Sequence, residues 1–144
     1  MDSAGIEDLL VHRGRMLLIR QIITVNMTKA ITRALVTDQW PLVNNGGANP
    51  LVLIEVAAQT AGVYNSWRLH RKQGPNADHR GWMVGIKISR FFVDRIPLGT
   101  EIITEAQNQF EYDGYREIRG VATIHGHTAA DVTLQIMQAG IENS

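Results

Sequence analysis

Glu55 is the residue in this sequence that most needs a chemical reason. It is the one charge in the apolar run from Leu51 to Tyr64 (LVLIEVAAQTAGVY). A carboxylate buried without a partner is costly, or it takes up a proton and becomes a potential general acid. The competing reading is a structural Glu bonded to a backbone N–H or an arginine. Gln59, four residues on, shares a helical face with Glu55 and could hold a polar ligand, or else be satisfied as an interface amide. Gly62 would leave that face open to a ligand, with close helix packing the stronger claim on it. His125 and His127 flank Gly126 and could point the same way, but a metal needs further ligands, so they read as solvated turn residues. Zero cysteines exclude a Cys nucleophile, thiolate metal sites and a disulfide framework. Gly46 and Gly47 lack the Lys-Ser/Thr that would make a phosphate cradle.

A chain of 144 residues with 44% hydrophobic and 19% charged side chains fits one domain, residues 1–144, with a core of its own. The acidic start MDSAGIEDLL lacks the basic, then apolar pattern of a signal peptide, and no run is long enough to span a bilayer. A cytoplasmic, water-soluble protein is the expectation. The net charge of zero argues against a nucleic-acid binder, yet the charges are segregated. Residues 1–67 hold five basic and five acidic side chains, residues 68–90 six against one, and residues 91–144 three against eight. The basic stretch contains Arg68, Arg71, Lys72, Arg80, Lys87 and Arg90, with His70 and His79 among them. It could steer an acidic partner, or be an ordinary charged helix end that suits the helix dipole.

Periodicity supplies the elements. Met16 to Val25 and Lys29 to Val36 are β-branched runs separated by Asn26-Met27-Thr28, a hairpin pattern. Asn49 can cap a helix with Pro50 in its first position, where the missing N–H costs nothing. The helix should run to about Lys72, ended by Gly74-Pro75, and its apolar half must be buried, since a surface helix would show a polar stripe. Trp82 to Phe92, Thr100 to Tyr112, Tyr115 to His125 and Thr128 to Met137 read as four strands. Asp113-Gly114 suits a tight hairpin, and Val132, Leu134 and Ile136 alternate with Asp131, Thr133 and Gln135, so one sheet face is wet. Two strands, one long helix and four strands make an α+β plan: a central helix wrapped by a curved antiparallel sheet of about five to six strands.

Three segments, in order, carry a resemblance. They are Leu10-Val11-His12-Arg13-Gly14-Arg15-Met16-Leu17-Leu18; Trp40-Pro41-Leu42 with Asn49-Pro50-Leu51-Val52-Leu53-Ile54-Glu55-Val56-Ala57-Ala58-Gln59-Thr60-Ala61-Gly62; and Val84-Gly85-Ile86-Lys87 with Phe91 and Ile96-Pro97-Leu98-Gly99-Thr100. Over roughly residues 9 to 138 the sequence resembles the hotdog-fold 3-hydroxyacyl-(acyl-carrier-protein) dehydratases, most closely the branch associated with aryl polyene biosynthesis.

The resemblance implies a hotdog dimer whose two sheets join, with a thioester on a pantetheine arm entering a tunnel at the interface. It implies loss of water from a 3-hydroxyacyl thioester, with no cofactor beyond the phosphopantetheine of an acyl carrier protein or coenzyme A. Glu55 falls on the family's helix acid; on that reading Gln59 would position the substrate beside Gly62, Gly85 would be a further substrate-binding residue, and Lys87 or Arg90 would lie near the pantetheine path. Val11 replaces the usual proline, and the family's loop histidine falls on Pro41, with no histidine between Arg13 and Leu69. His12, the histidine nearest a family motif, is a candidate base, against a structural hydrogen-bonding role. Otherwise a second hotdog subunit completes the site, or the chain only binds acyl thioesters. An acyl thioesterase is the alternative reaction on this fold.

Overall fold

In a computed structural model of the chain, which describes residues 17–73 and 81–138, one helix lies against a curved antiparallel sheet. β1 (Ile19–Val25) and β2 (Lys29–Leu35) form the expected hairpin. Asn26 makes its turn, because Oδ1 accepts from the Thr28 N–H at 2.9 Å and the Lys29 N–H at 3.1 Å. Two short strands follow, β3 (Val43–Asn44) and β4 (Gly47–Ala48), then the helix α1 (Val52–Gln73). The remaining strands are β5 (Gly81–Phe91), β6 (Ile96–Pro97), β7 (Glu101–Tyr112), β8 (Tyr115–Ile124) and β9 (His127–Gln138). The main sheet has six strands in the order β1-β2-β7-β8-β9-β5, and β3, β4 and β6 form a second, small sheet.

The turns follow from residue chemistry. Asp113 and Gly114 have φ of 50° and 85°, and the same pairing of positive angles recurs at His125-Gly126 (52° and 80°) and Asn45-Gly46 (51° and 83°). Two successive left-handed residues match the right-handed twist of the strands they join, and Asn, Asp or His followed by Gly tolerates them. His125 is therefore a turn residue by backbone conformation, and both His125 and His127 are exposed.

At the start of α1, Asn49 Oδ1 accepts the Leu51 N–H at 2.9 Å, the expected cap, and the first turn is tightened by Val52 and Leu53 N–H bonds to the Asn49 and Pro50 carbonyls. Ile96-Pro97 departs from its sequence pattern. It lies outside the runs that periodicity marks as strands but forms β6, which pairs with Ala48 and Gly47 and braces the loop leading into the helix.

The sheet's inward residues, among them Ala30, Ala34, Ile102, Ala106, Ile118, Ala122, Val132 and Leu134, are buried under Leu53, Val56, Ala57 and Ala61 of the helix. At Gly120 the helix comes so close that a Cβ would lie 2.9 Å from the Cβ of Ala57. The outward residues of the same strands carry Arg33 paired with Glu101, Lys87 with Glu117 at 3.0 Å, and Arg119 with Asp131 at 2.6 Å. This is the wet face that the alternation in β9 predicts.

Candidate functional site

Glu55 sits in the first turn of α1, where the positive end of the helix dipole favours a carboxylate. The burial pattern of the helix is uneven. Val52, Leu53, Val56, Ala57, Gln59, Thr60, Ala61, Val63 and Tyr64 are buried, whereas Leu51 is exposed and Ile54, Glu55, Ala58 and Gly62 are half-covered. Those five fall at i, i+3, i+4, i+7 and i+11, one stripe of a 3.6-residue helix. Glu55 thus stands in an open apolar stripe, as a carboxyl that must meet an apolar-bodied ligand would. Gly62 lies on the stripe too and leaves it accessible.

Gln59 is placed differently from the sequence expectation. It is fully buried and turned toward the start of β1, where its Oε1 accepts the N–H groups of Leu18 at 2.9 Å and Ile19 at 3.3 Å. Its Nε2 lies 3.0 Å from Oε2 of Glu55. It is within reach of the carboxyl and not on the open stripe. His12 lies outside the described residues, as do His79 and Arg80.

The structure does not gather Gly85, Lys87 and Arg90 around Glu55. Lys87 pairs with Glu117, which points outward between the buried Arg116 and Ile118, so Lys87 occupies the sheet face away from the helix. Gly85 lies beneath Gln135 of that same face, where a Cβ would collide with the Gln135 amide oxygen. Arg90 acts on Asp131, whose carboxyl is held below its usual range first by the Arg119 hydrogen bonds and then, despite some burial, by the charges of Arg119 and Arg90. Arg68 pairs with Glu111 at 3.0 Å and lies over the Tyr64 ring, and Arg71 lies over Trp67. The basic stretch and the acidic C-terminal third are thus largely each other's counter-ions. Arg71 and Lys72 are its exposed remainder on the helix end.

Two features are missed by the sequence reading. Arg116 is buried, donating to Asn65 and, at 3.4 Å, to Glu111. Its signal is its strand register, since it shares the inward parity of Ile118, Gly120 and Ala122. The second is β5, the free edge of the main sheet, where Met83, Val84, Ile86 and Ile88 are all exposed. Both faces of that edge strand present apolar groups, whereas β1 at the opposite edge carries exposed Arg20 and Gln21. Lys87 and Arg90 also lie on β5, but four exposed apolar side chains on one edge strand are more than an unpaired edge ordinarily shows.

A family model described as ApeP-like, ApeP dehydratase, matches residues 4–143. The chain belongs to this ApeP-like dehydratase family. Among solved structures it is similar to the dehydratase heterocomplex ApeI:P from Xenorhabdus doucetiae, at 20% identity and a TM-score of 0.84, covering 96% of this chain and 93% of that one. It is also similar to Cj0977, a sigma28-regulated virulence protein of Campylobacter jejuni, at 17% identity and a TM-score of 0.70 over 94% of this chain and 95% of that one. The E. coli PaaI protein aligns at 14% identity with a TM-score of 0.65, covering 82% of each chain. Among curated proteins no sequence matches. The fold is the hotdog.

Within this family member, the loop before the helix holds Pro41 at the expected histidine position, followed by Leu42 at φ 60°. A bulky residue in the left-handed region is strained, and here the strain is held by the Asn49 N–H bonding the Leu42 carbonyl at 3.0 Å. A cavity of about 330 Å³ beside this loop is lined by Leu42, Asn44, Gly47, Asn49, Asp94 and Arg95, among others. No helix of the described residues is long and apolar enough to cross a membrane.

Proposed function

We propose that the chain is a cytoplasmic dehydratase subunit acting on 3-hydroxyacyl thioesters borne by the phosphopantetheine of an acyl carrier protein, in a dimer with a second hotdog subunit. The observation that carries the reading is Glu55: a held carboxyl in an apolar, open helix stripe, in a chain of the ApeP-like dehydratase family. In the reaction the C2–H bond breaks, its electron pair becomes the C2=C3 bond, and the C3–O bond breaks so that hydroxyl leaves as water with one added proton. Glu55 supplies that proton as the general acid. The C2 proton needs a base, either His12 or a group of the second subunit. β5 is the edge on which the subunits join. The Xenorhabdus relative is a dehydratase heterocomplex, which supports a heteromer as the assembly. Exposed Arg71 and Lys72 leave a modest basic rim for an acidic carrier.

The test incubates the protein, alone and with a histidine-bearing hotdog partner, with a 3-hydroxyacyl thioester while the enoyl absorbance is followed. Turnover that Glu55→Ala abolishes supports the reading. No turnover in either format overturns the enzyme, and unchanged turnover in Glu55→Ala overturns the role of Glu55. A second reading, a catalytically silent subunit that stabilises an active partner, is favoured by Pro41 in place of the loop histidine. It predicts that Glu55→Ala leaves the activity of the mixed complex intact. Thiol release from acyl-coenzyme A would mark a thioesterase instead.

A further inference from the structure

We infer that Gln59 is a positioning residue for Glu55, and that through it the start of β1 sets the orientation of the reacting carboxyl. The inference rests on the reading of Glu55 as that carboxyl, and deepens it. The two ends of a side-chain amide are chemically unlike but alike in shape. Here the orientation is forced. Backbone N–H groups only donate, so the atom that Leu18 and Ile19 address, at 2.9 and 3.3 Å, must be the amide oxygen. The atom facing Glu55 at 3.0 Å is then the NH2, which can only donate. Oε2 of Glu55 is therefore an acceptor for this amide in every protonation state, which favours the other oxygen, Oε1, as the one that carries the proton Glu55 gives up in catalysis.

The same two bonds explain why Gln serves here. A fully buried side chain must satisfy both ends. Leu, of similar size, would satisfy neither, and Glu would accept from Leu18 and Ile19 but, when ionised, offer nothing to Glu55. One residue thus joins two elements far apart in sequence, the strand that follows the Leu10–Leu18 motif and the first turn of α1. Glu55 is only half-covered, and a donor fixed by two backbone groups holds one of its oxygens in place. Orientation of an acid to within an ångström is worth large factors in rate.

The experiment uses the chain in its active assembly. Gln59→Glu keeps the acceptor for the β1 backbone and removes the donor; Gln59→Leu removes both. The expectation for Gln59→Glu is a fall in kcat of about tenfold to a hundredfold with KM within about twofold, and a ratio to wild type that recovers as pH falls, because the introduced carboxyl then carries a proton and donates again. A ratio that stays flat with pH overturns the inference, because a merely structural Gln59 predicts no such recovery. The second arm needs no turnover. The side-chain NH2 signals of Gln59 in nitrogen-15 spectra should move in Glu55→Ala and exchange faster with solvent. If they do not move, the inference falls. If they move while no assembly turns over, the dehydratase reading falls and the coupling of Gln59 to Glu55 stands.

Discussion

Replacing Glu111 by Gln tests whether a buried pair of cations depends on one carboxylate. Arg68 reaches Glu111 Oε1 at 3.0 Å and Arg116 reaches Oε2 at 3.4 Å, with the two arginine side chains 11% and 3% exposed. Asn108 adds a third hydrogen bond at 2.9 Å. Glu111→Gln keeps the shape and part of the hydrogen bonding but leaves two guanidinium groups close together without that negative charge. Breaking a fully buried pair costs about 3–5 kcal/mol. The Glu111 side chain is 35% exposed, so water screens part of the loss, and about 2 kcal/mol is the expected cost. The pH dependence gives the sharper test. Burial pushes the Glu111 carboxyl upward, but the charge of Arg116 and the hydrogen bond and charge of Arg68 outweigh it and hold it below the usual carboxylate range. A carboxyl lowered in the folded state stabilises at pH above its unfolded value, and that contribution is lost as pH falls through the folded one. Urea unfolding midpoints of wild type and variant should therefore differ at neutral pH and converge in acid, as the wild type takes up the proton the variant never needed. Equal midpoints at neutral pH, or a gap that persists in acid, would refute this account of the cluster.

Thr104 is fully buried and its hydroxyl has no partner among the described residues, so Thr104→Val should stabilise by about 1 kcal/mol, seen as a rise of roughly 3 °C in a melting curve. Gly120→Ala places a Cβ 2.9 Å from Ala57; the helix must lift, at a cost of about 1–3 kcal/mol, and turnover should fall because Ala57 is two residues from Glu55. Ile88→Lys on the β5 edge should shift the assembly to monomers in sedimentation while the circular dichroism stays native, whereas an unchanged assembly would place the interface elsewhere.

The elements that can be read in the sequence are those set by local chemistry. Asn49-Pro50 caps the helix as expected, and Asp113-Gly114 makes its turn, because cap and turn depend on a few adjacent residues. The small sheet of β3, β4 and β6 is not legible. Its strands are two residues long, too short to show a period, and its pairing joins Gly47-Ala48 to Ile96-Pro97 across a third of the chain. At the site, Glu55 stands out because one charge in an apolar run is locally anomalous. For Gln59 the spacing points to the right neighbour, Glu55, and misses the inward turn of the amide. A separation of four residues says that two side chains share a face, but not which of them turns inward, and the donors that decide it belong to Leu18 and Ile19, far away in the chain.

The charge pattern and the apolar pattern of this chain point in opposite directions, and the difference is informative. The basic middle and acidic C-terminal third, segregated along the sequence, meet in the fold as Arg68 with Glu111, Lys87 with Glu117 and Arg90 beside Asp131. That pairing is internal, so the charges need no partner to explain them. The apolar excess is not absorbed in the same way. The helix is apolar on nearly every side, yet Leu51, Ile54, Ala58 and Gly62 remain open or half-covered, as do both faces of β5. A chain that worked alone would gain solubility from polar groups at those positions, as it has on the outer faces of β7, β8 and β9. Residues that are apolar where the chain leaves them uncovered are those the proposed second subunit would cover. The stripe carrying Glu55 is among them, so the part of the site that this sequence leaves unwritten is expected on the molecule that covers it.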